Sequence, residues 1–556
     1  MISRGSLRRA LVGIAAVGAL LGPVVAARAA NSVPGPASNN DKTLTIALPG
    51  PFSGCTFLDP GVTPTTTAML DLTRPSAFLT NPDGVVVGAG GSISSAELTS
   101  LQPETVVYTL RPHVKWSNGQ VFNGGDLKAW WEHARTLSSV QSDGYRALSS
   151  LSVSRNGLTV TAIFRRPYAD WNLLFRDVEA RHSPLGCSLA NLVRRPSIGP
   201  YLVVAASPRR IVLRMNGHWP LERSRFGRLV LIANGSIPAN ARSAFASYSL
   251  IVNRVQEQTL SAHPSLLSYF GNSSAIAQIR FAPRRPLTRS LVIREALSWS
   301  LNRQSIINQL WGSVTFSPSV GASAVFAQGQ SNYPGGNGSG PTAQSTTTTA
   351  NFQVNSASPT LSDCSACARD VLEAAKFHRT PSGWRTRAGA HLLVSLAVGP
   401  SEVDRATAFI VAHQWLRAGF GVREMQAPSD LRAAADVALG TVDAAVFSRA
   451  VETTPGFAAR SWSGPSYYDT FPSGYRFRST NVLFNQAMAN FNPVTASATW
   501  LAFDQAIMTS FWVRPLFTPP SLMEWSNSLV SVTGASSIPG FMDQVPTWTT
   551  VVPPPR

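Results

Sequence analysis

The clearest alternation of apolar and polar positions in the chain lies at residues 106–111, which are mostly β-branched or aromatic. Such a period of two is typical of a half-buried β-strand. Pro112 has no N–H to give to a sheet, so the strand is expected to end there. Residues 117–119 read Ser-Asn-Gly, a sequence that favours a tight turn. Asp126 then stands where it could cap a helix that carries two consecutive tryptophans.

Helical periodicity is plainest after Ser290, where Ile293, Leu297 and Leu301 recur every four residues. A second amphipathic run follows directly, and Asn302 is placed to cap it. Asn156-Gly157 between two apolar runs predicts a β-hairpin. The remaining predicted elements are strands at 44–48, 153–164 (a pair), 392–398 and from 422 onward, and helices at 367–377 and 403–418.

Two stretches lack any apolar pattern. Residues 31–41 are polar and contain proline, which indicates a linker. Residues 327–362 are rich in Gly, Ser, Thr, Gln and Asn and include four consecutive threonines. A segment of this composition cannot bury enough apolar surface to order itself. We therefore expect an exposed loop there.

The amino terminus has the pattern of an export signal. Arginines at 4, 8 and 9 precede an apolar run at 10–25 that is interrupted by glycines and a proline. Ala27-Arg28-Ala29 forms a small-residue cleavage site. The sequence therefore predicts a signal peptide at 1–29 and an exported protein, with a retained amino-terminal anchor as the alternative.

Length and charge narrow the class of protein. The roughly 527 residues that follow the signal exceed a single core, so two or three lobes are expected. The formal net charge is +18, from 47 basic and 29 acidic residues. The basic residues are scattered in pairs, with no basic run interleaved with aromatics, so nucleic acid is not an expected partner. The charge suits either attraction to anionic polymers or a simply solvated surface.

Four cysteines suit an oxidising compartment with few disulfides. Cys364 and Cys367 form a C-x-x-C before a helix, but they follow a Ser/Thr-rich tract and not a strand. A short local disulfide is the simplest interpretation, with redox chemistry or zinc as alternatives. Cys55 and Cys187 could pair with each other, although the sequence alone does not fix the connectivity.

Motifs of the common enzyme classes are missing from the sequence. There is no G-x-S-x-G nucleophile elbow, no H-E-x-x-H and no phosphate-binding loop. The eight histidines do not cluster at the spacing of metal ligands. We therefore expect no catalytic residues, no metal site and no cofactor.

Taken together, the motif residues of segment 108–127 resemble the signature of the family 5 extracellular solute-binding proteins, receptors for oligopeptides and dipeptides in ABC importers. The matching positions are Tyr108, Leu110, Arg111, Val114, Lys115, Trp116, Ser117, Gly119, Phe122 and Asp126. The helix pair from Ser290 is similar to a second family element. It matches at Arg294, Ala296, Leu297, Arg303, Ile306 and Gly312. Shorter matches lie at 58–60, 199–201 and 440–443.

The resemblance implies an α/β, two-lobed fold like that of periplasmic binding proteins of type II, in the large peptide-binding class. A hinge and a ligand cleft would lie between the lobes. The implied division is a signal peptide 1–29, a linker 30–41, lobe I 42–288 with an extra subdomain at about 60–195, lobe II 289–515 containing the loop 327–362, and a return to lobe I at 516–556.

In peptide-binding members of this family, an acidic residue soon after the G-x-y-D strand pairs with the amine of the peptide. The resemblance implies Glu452 or, failing that, Asp469 for this role. Aromatic residues nearby suit a ligand-stacking surface or the packing of lobe II. They include Trp462, Tyr467 and Tyr468. Phe52 could face the cleft from lobe I.

The expected function is therefore that of an extracytoplasmic receptor, which captures a peptide or peptide-like solute and delivers it to the permease subunits of an ABC transporter and their ATPases. We expect a monomer without covalent chemistry. Two alternatives share the fold. One is a receptor for an oligosaccharide, haem or a metal chelate, and the other is an exported surface protein with a degenerate ligand site.

Overall fold

The structure, a computed structural model, describes residues 42–550 apart from 60–61, 81–85, 138–141, 182–186, 222–223, 234–243, 250–265, 313–317, 329–331, 335–362, 451–453, 464–477 and 536. The strands in chain order are β1 (Thr43–Leu48), β2 (Phe78–Thr80), β3 (Val86–Ala89), β4 (Ile93–Leu101), β5 (Glu104–Leu110), β6 (Leu148–Val153), β7 (Thr159–Phe164), β8 (Tyr201–Ser207), β9 (Arg210–Met215), β10 (Arg228–Ala233), β11 (Phe245–Ser249), β12 (Leu266–Asn272), β13 (Ala275–Phe281), β14 (His378–Thr380), β15 (Gly383–Arg385), β16 (Leu393–Val398), β17 (Gly421–Gln426), β18 (Ala444–Ala450), β19 (Val513–Phe517), β20 (Pro520–Ser526), β21 (Leu529–Val530) and β22 (Thr549–Thr550).

The helices alternate with these strands along most of the chain. Their bounds are Pro64–Thr73, Gly124–Ala134, Asp143–Ala147, Leu189–Leu192, Pro286–Arg289, Leu291–Trp299, Arg303–Trp311, Ser365–Ala374, Glu402–Ala418, Asp430–Leu439, Pro455–Ala459, Arg478–Met488, Pro493–Met508 and Ile538–Gln544. Among the residues that the structure describes, no helix combines the length and apolar content that a membrane span needs.

Lobe I is built on a seven-stranded sheet in the order β12-β20-β11-β1-β10-β9-β8. β1 runs parallel to both of its neighbours, while the outer pairs are antiparallel. Leu44, Ile46 and Leu48 point to one face of β1 and are almost fully buried. The helices Pro64–Thr73 and Ile538–Gln544 contribute to the same apolar cluster. The core of lobe I therefore combines residues from both ends of the described chain.

A subdomain, residues 78–180, contains a four-stranded sheet in the order β4-β5-β7-β6. β5 shows the alternating burial that its sequence predicts, with Tyr108 fully buried. Trp116 is 1% exposed and packs edge-on against Phe122, so it is a core residue of the subdomain. The following helix starts one turn earlier than expected. Asn123 is its N-cap, and Asp126 completes the capping box by accepting from the Asn123 N–H at 3.0 Å.

Lobe II is built on a five-stranded sheet in the order β17-β16-β18-β13-β19. β16 runs parallel to both β17 and β18, and β13 is antiparallel to β18 and β19. The helices Leu291–Trp299, Arg303–Trp311 and Glu402–Ala418 bury their apolar sides against one face of this sheet. The last of them ends at Gly419, which adopts a φ of 98°, a conformation open to glycine without strain.

Within the described part of the chain, two short connections join the lobes. β12 of lobe I leads into β13 of lobe II through two residues, and β19 leads back into β20 through two more. The connections lie side by side, since the Ser273 N–H donates to the Pro519 carbonyl at 3.1 Å. Buried Ser273 also donates through its hydroxyl to the same carbonyl, at 2.5 Å. This paired crossing is where a hinge between the lobes would bend.

The sheet pairing moves the domain limits that the sequence implied. β13 pairs with β18 and β19, so lobe II starts at 275 and not at 289. β19 is a lobe II strand up to Phe517, and the return to lobe I comes with β20. The sequence could not locate these limits because each crossing takes only two residues and carries no linker composition.

The loop expected at 327–362 is only partly described. Ala327, Asn332 and Tyr333 are buried, which corrects the expectation that this end of the segment is exposed. Tyr333 is held in place because its hydroxyl accepts from the Ala322 N–H at 2.9 Å. Residues 335–362, the signal peptide 1–29 and the linker 30–41 lie outside the described residues.

Both suggested cysteine pairs are bonded. Cys55 joins Cys187 with a Cα–Cα distance of 5.4 Å, across 132 positions of sequence. Cys364 joins Cys367 at the start of the helix Ser365–Ala374. The first bond ties the loop after β1 to a segment that follows the subdomain.

Candidate ligand-binding site

Four of the six predicted ligand-contact residues fall outside the described residues. They are Glu452, Tyr467, Tyr468 and Asp469. The structure does describe Phe52 and Trp462, and it does not bring them together. Phe52 is 2% exposed and belongs to the lobe I core. Its ring is therefore occupied by packing within that lobe and does not line a cleft.

Trp462 lies in a short 3-10 turn, Arg460–Trp462, and is 2% exposed. The guanidinium of Arg280 lies over its indole ring at 4.5 Å from the ring centroid. The same guanidinium lies 5.3 Å from the centroid of Phe447 on β18. Arg280 is completely buried, and a desolvated cation over aromatic faces is a stabilising arrangement. The stack fixes the 3-10 turn against the lobe II sheet.

Polar residues on β13 were missed by the sequence analysis. Ala277, Ile279 and Phe281 face the helices Leu291–Trp299, Arg303–Trp311 and Glu402–Ala418. Ile276, Gln278 and the Arg280 discussed above therefore occupy the opposite face. Gln278 is completely buried and pairs in register with Phe447 and Pro515. A polar side chain at the centre of a sheet face is unusual and requires a partner.

Arg449 at the end of β18 links this sheet to two neighbouring segments. Its Nη1 donates to Ser461 Oγ at 2.8 Å, in the turn that carries Trp462. Its Nη2 donates to the Val325 carbonyl at 3.5 Å. The segment around Val325 is held in turn by the Asp504 carboxylate, which accepts from the N–H groups of Ala324 and Val325 at 3.0 and 3.1 Å. Burial raises the pKa of Asp504 to about 7.

The subdomain of lobe I reaches across to the start of the helix Pro455–Ala459. Asp170 is 7% exposed, and the N–H groups of Gly456 and Phe457 face its carboxylate. A carboxylate is favoured there by the unpaired N–H groups of a helix start. Burial nevertheless raises the pKa of Asp170 to about 6, and these N–H groups only moderate the rise. A Cβ on Gly456 would lie 2.3 Å from Asp170 Oδ2 and 2.4 Å from Met488 Sδ.

An ion pair lies beside this contact. Arg460 of lobe II donates to the Asp143 carboxylate of the subdomain, which also pairs with Arg166 at 2.8 Å. The Arg460 guanidinium lies over the ring of Phe484 at 4.2 Å. The Ala169 N–H donates to the carbonyl of Met488 at 3.0 Å. We call the contacts of Asp143, Asp170, Arg460 and the start of helix Pro455–Ala459 the interlobe contact.

The interlobe contact continues into a shared apolar core. One cluster of buried residues includes Tyr108 and Phe175 of the subdomain together with Trp462, Phe484 and Trp500 of lobe II. Its burial shows that the two lobes are closed on each other at this side. The described residues 454–463 therefore lie where lobe I and lobe II meet. Within the described part of the chain, His, Cys, Asp and Glu do not gather in groups that could hold a metal ion.

Solved structures share this architecture. The periplasmic EDTA-binding protein EppA matches with a TM-score of 0.76 and 17% identity, covering 92% of this chain and 97% of that protein. The oligopeptide-binding protein AppA from Bacillus subtilis, solved in complex with a nonapeptide, matches with a TM-score of 0.70 and 15% identity, covering 92% of this chain and 100% of AppA. At such low identity these likenesses show the fold alone.

Sequence comparison gives the family. The oligopeptide-binding protein OppA of Mycobacterium bovis is 26% identical over 291 residues, which is 49% of this chain and 49% of OppA. The chain thus spans about half the length of the curated relatives it matches. Residues 95–482 match the bacterial extracellular solute-binding proteins, family 5, middle region. That match covers well over half of the chain, and the protein belongs to the family 5 bacterial extracellular solute-binding proteins.

Proposed function

We propose that this protein is the extracytoplasmic substrate-binding protein of an ABC importer, and that it captures peptides or peptide-like solutes between its lobes. The observation that carries the proposal is the paired crossing between two sheets whose lobes close over the end of β18. Hinge closure around a ligand is a recurrent way to bury a small solute. The peptide class is supported by the match to OppA of Mycobacterium bovis.

The amine of such a peptide needs an acidic partner, and the sequence offers Glu452 and Asp469 after β18. Each substitution, Glu452→Ala or Asp469→Ala, removes a carboxylate from the segment that follows the strand. If one of the two carboxylates binds the amine, its removal should lower the affinity for an unblocked peptide at least tenfold. That loss corresponds to about 1.4 kcal/mol of binding free energy. The permease subunits and their ATPases would receive the peptide from the closed receptor.

The test is calorimetric titration of the purified protein with unblocked tri-alanine and penta-alanine and with N-acetylated penta-alanine. The proposal expects binding of the unblocked peptides and weaker binding of the acetylated one. Asp370→Ala is the matched control, because Asp370 is 68% exposed and, among the described residues, forms an ion pair with Arg369 on the same helix. Equal affinity of Glu452→Ala, Asp469→Ala and wild-type protein would refute the acidic assignment.

Native mass spectrometry of the secreted protein complements the titration. A mixed population of short peptides that co-purifies would support a peptide receptor. A single non-peptide species would keep the receptor and replace the solute class. An empty protein that also ignores peptide, sugar and haem probes would contradict the proposed function and favour a surface protein with a degenerate site.

A further inference from the structure

Gln278 is a buried polar side chain that the hydrogen bonds of the described residues leave unexplained. It is completely buried, and neither atom of its amide has a hydrogen-bond partner among the described residues. A buried donor or acceptor left without a partner costs about 1–3 kcal/mol. The amide of Gln278 carries both an unpaired donor and an unpaired acceptor. Natural proteins rarely keep such a residue at a sheet centre unless something else satisfies it.

The face that carries Gln278 is covered by the helix Asp430–Leu439 at its Ala282 end and turns toward the junction of the lobes at its Ile276 end. Its strand neighbour Ile276 belongs to the apolar cluster shared by the subdomain and lobe II. Its other neighbour, Arg280, stacks on Trp462. Across the strand pair, Phe447 lies directly opposite and Arg449 lies one step diagonally toward the end of β18. Gln278 therefore lies opposite Phe447, three residues before the end of β18.

We infer that Gln278 is a ligand-contact residue, and that its carboxamide pairs with an amide group of the bound solute. This inference rests on the proposed function, because it places the solute on the same side of the lobe II sheet. A carboxamide presents an acceptor and a donor side by side, so it can accept from the N–H and donate to the C=O that one residue of an extended peptide turns to the same side, or make one of these bonds with another amide. A solute group with only acceptors would leave the carbonyl oxygen of Gln278 unpaired.

The substitution that tests this is Gln278→Met, which keeps the length of the side chain and removes both polar atoms. In the ligand-free protein it eliminates the unpaired amide, so the melting temperature should stay the same or rise. In the same variant the affinity for an amide-bearing solute should fall at least tenfold. A purely structural role would not move these two readouts in opposite directions.

Ser298→Ala is the matched control. Ser298 is also completely buried in lobe II, and its hydroxyl also has no partner among the described residues. It lies on the helix Leu291–Trp299, which packs on the other face of the sheet. Its removal should leave ligand affinity unchanged. Gln278→Asn, which withdraws the amide by one methylene, is the second variant should Gln278→Met fail to fold.

The probes are unblocked penta-alanine and chitotriose, whose acetamido groups are amides on a sugar. A tenfold loss for penta-alanine in Gln278→Met, with Ser298→Ala unaffected, supports both the inference and the peptide receptor. Binding of chitotriose alone with the same loss supports the inference and refutes the peptide class. Unchanged affinity in Gln278→Met, a melting temperature several degrees lower, or wild-type protein that binds neither probe would overturn the inference.

Discussion

Two clusters of charged residues, both centred on arginine and aspartate, differ in whether their partners come from one lobe or from both. In the first, Arg74 pairs with Asp177 at 2.8 Å and with Glu179 at 2.7 Å, and its Nη2 donates to the carbonyl of Cys55 at 2.7 Å. The Arg74 and Asp177 side chains are 3% and 1% exposed. This cluster joins the loop after β1 to the end of the subdomain, so it lies entirely within lobe I.

The second cluster is the interlobe contact. Arg460 and Asp143 retain 17% and 19% of their side-chain exposure, although they too form a close pair. The partners come from different lobes, so the pair must break when the lobes separate. From this difference we expect the Arg74 cluster to stabilise the fold and the interlobe contact to affect how readily the lobes separate. Removing one partner of a buried pair is costly, whereas a partly exposed pair contributes less.

The largest effect is expected for Asp177→Ala. The substitution leaves Arg74 buried beside only one remaining carboxylate, and it also removes the acceptor of the Phe57 N–H. We expect the free energy of unfolding to fall by about 3–5 kcal/mol in urea denaturation. Asp370→Ala, at an exposed pair, should change it by less than about 0.5 kcal/mol. Similar values for the two variants would remove the distinction between the clusters.

A pH effect follows from Asp71, which pairs with Arg176 at 3.2 Å beside the Arg74 cluster. Burial raises the pKa of Asp71 to about 7, and Arg176 lowers it only in part. A carboxyl whose folded pKa is raised stabilises the fold at low pH and loses that contribution as the pH rises through about 7. In Asp71→Asn the free energy of unfolding should depend less on pH between pH 5 and 8, and the change across this range should shrink by on the order of 2 kcal/mol. Thermal melting across this range measures it, and an unchanged slope would contradict it.

Gly456→Ala tests the interlobe contact sterically. The added methyl group would overlap Asp170 and Met488, so the closed state should become strained. We expect about tenfold weaker binding of penta-alanine and a larger radius of gyration in small-angle X-ray scattering of the ligand-free protein. Gly217→Ala is the control, since a Cβ at Gly217 meets nothing within 4 Å. Equal scattering by the two variants would show that the contact does not hold the lobes together.

The smallest effect is expected from the ion pair between Asp143 and Arg460. Arg460→Gln should weaken penta-alanine binding about threefold with little change in unfolding free energy, because the pair is partly exposed to solvent. Asp143→Asn should give a similar loss of affinity. The double variant should lose less affinity than the product of the two single fold-losses. Arg146→Gln removes a partner of Asp143 on its own helix at 3.8 Å and should leave affinity unchanged.

Local pattern was enough to predict the elements that depend on neighbours in sequence. The alternation at 106–111 gave β5, and the four-residue spacing after Ser290 gave the helix pair of lobe II. The N-cap was predicted at Asp126, whereas it is Asn123, because both residues belong to one capping box. Their roles differ only by which backbone N–H each side chain accepts from.

The site was less predictable, for two physical reasons. The alternation of polar and apolar residues in β13 suggests a strand with one face in solvent, which would expose Gln278 and Arg280. The strand is instead buried on both faces, so both side chains are covered. Asp170 meets Gly456 only through the closure of the lobes, and nothing in the sequence around either residue signals the other. The acidic candidates Glu452 and Asp469 remain predictions.

The position of β20 has a consequence for the order in which the protein is completed during synthesis. β20 lies between β11 and β12 and pairs with both, yet it follows every strand of lobe II in the chain. The helix Ile538–Gln544, which packs into the lobe I core, is made later still. Lobe II can therefore fold while lobe I still has a gap in its sheet. Nascent chains stopped before Pro520 should leave β12 unpaired and expose the edge of β11 to chaperones or proteases.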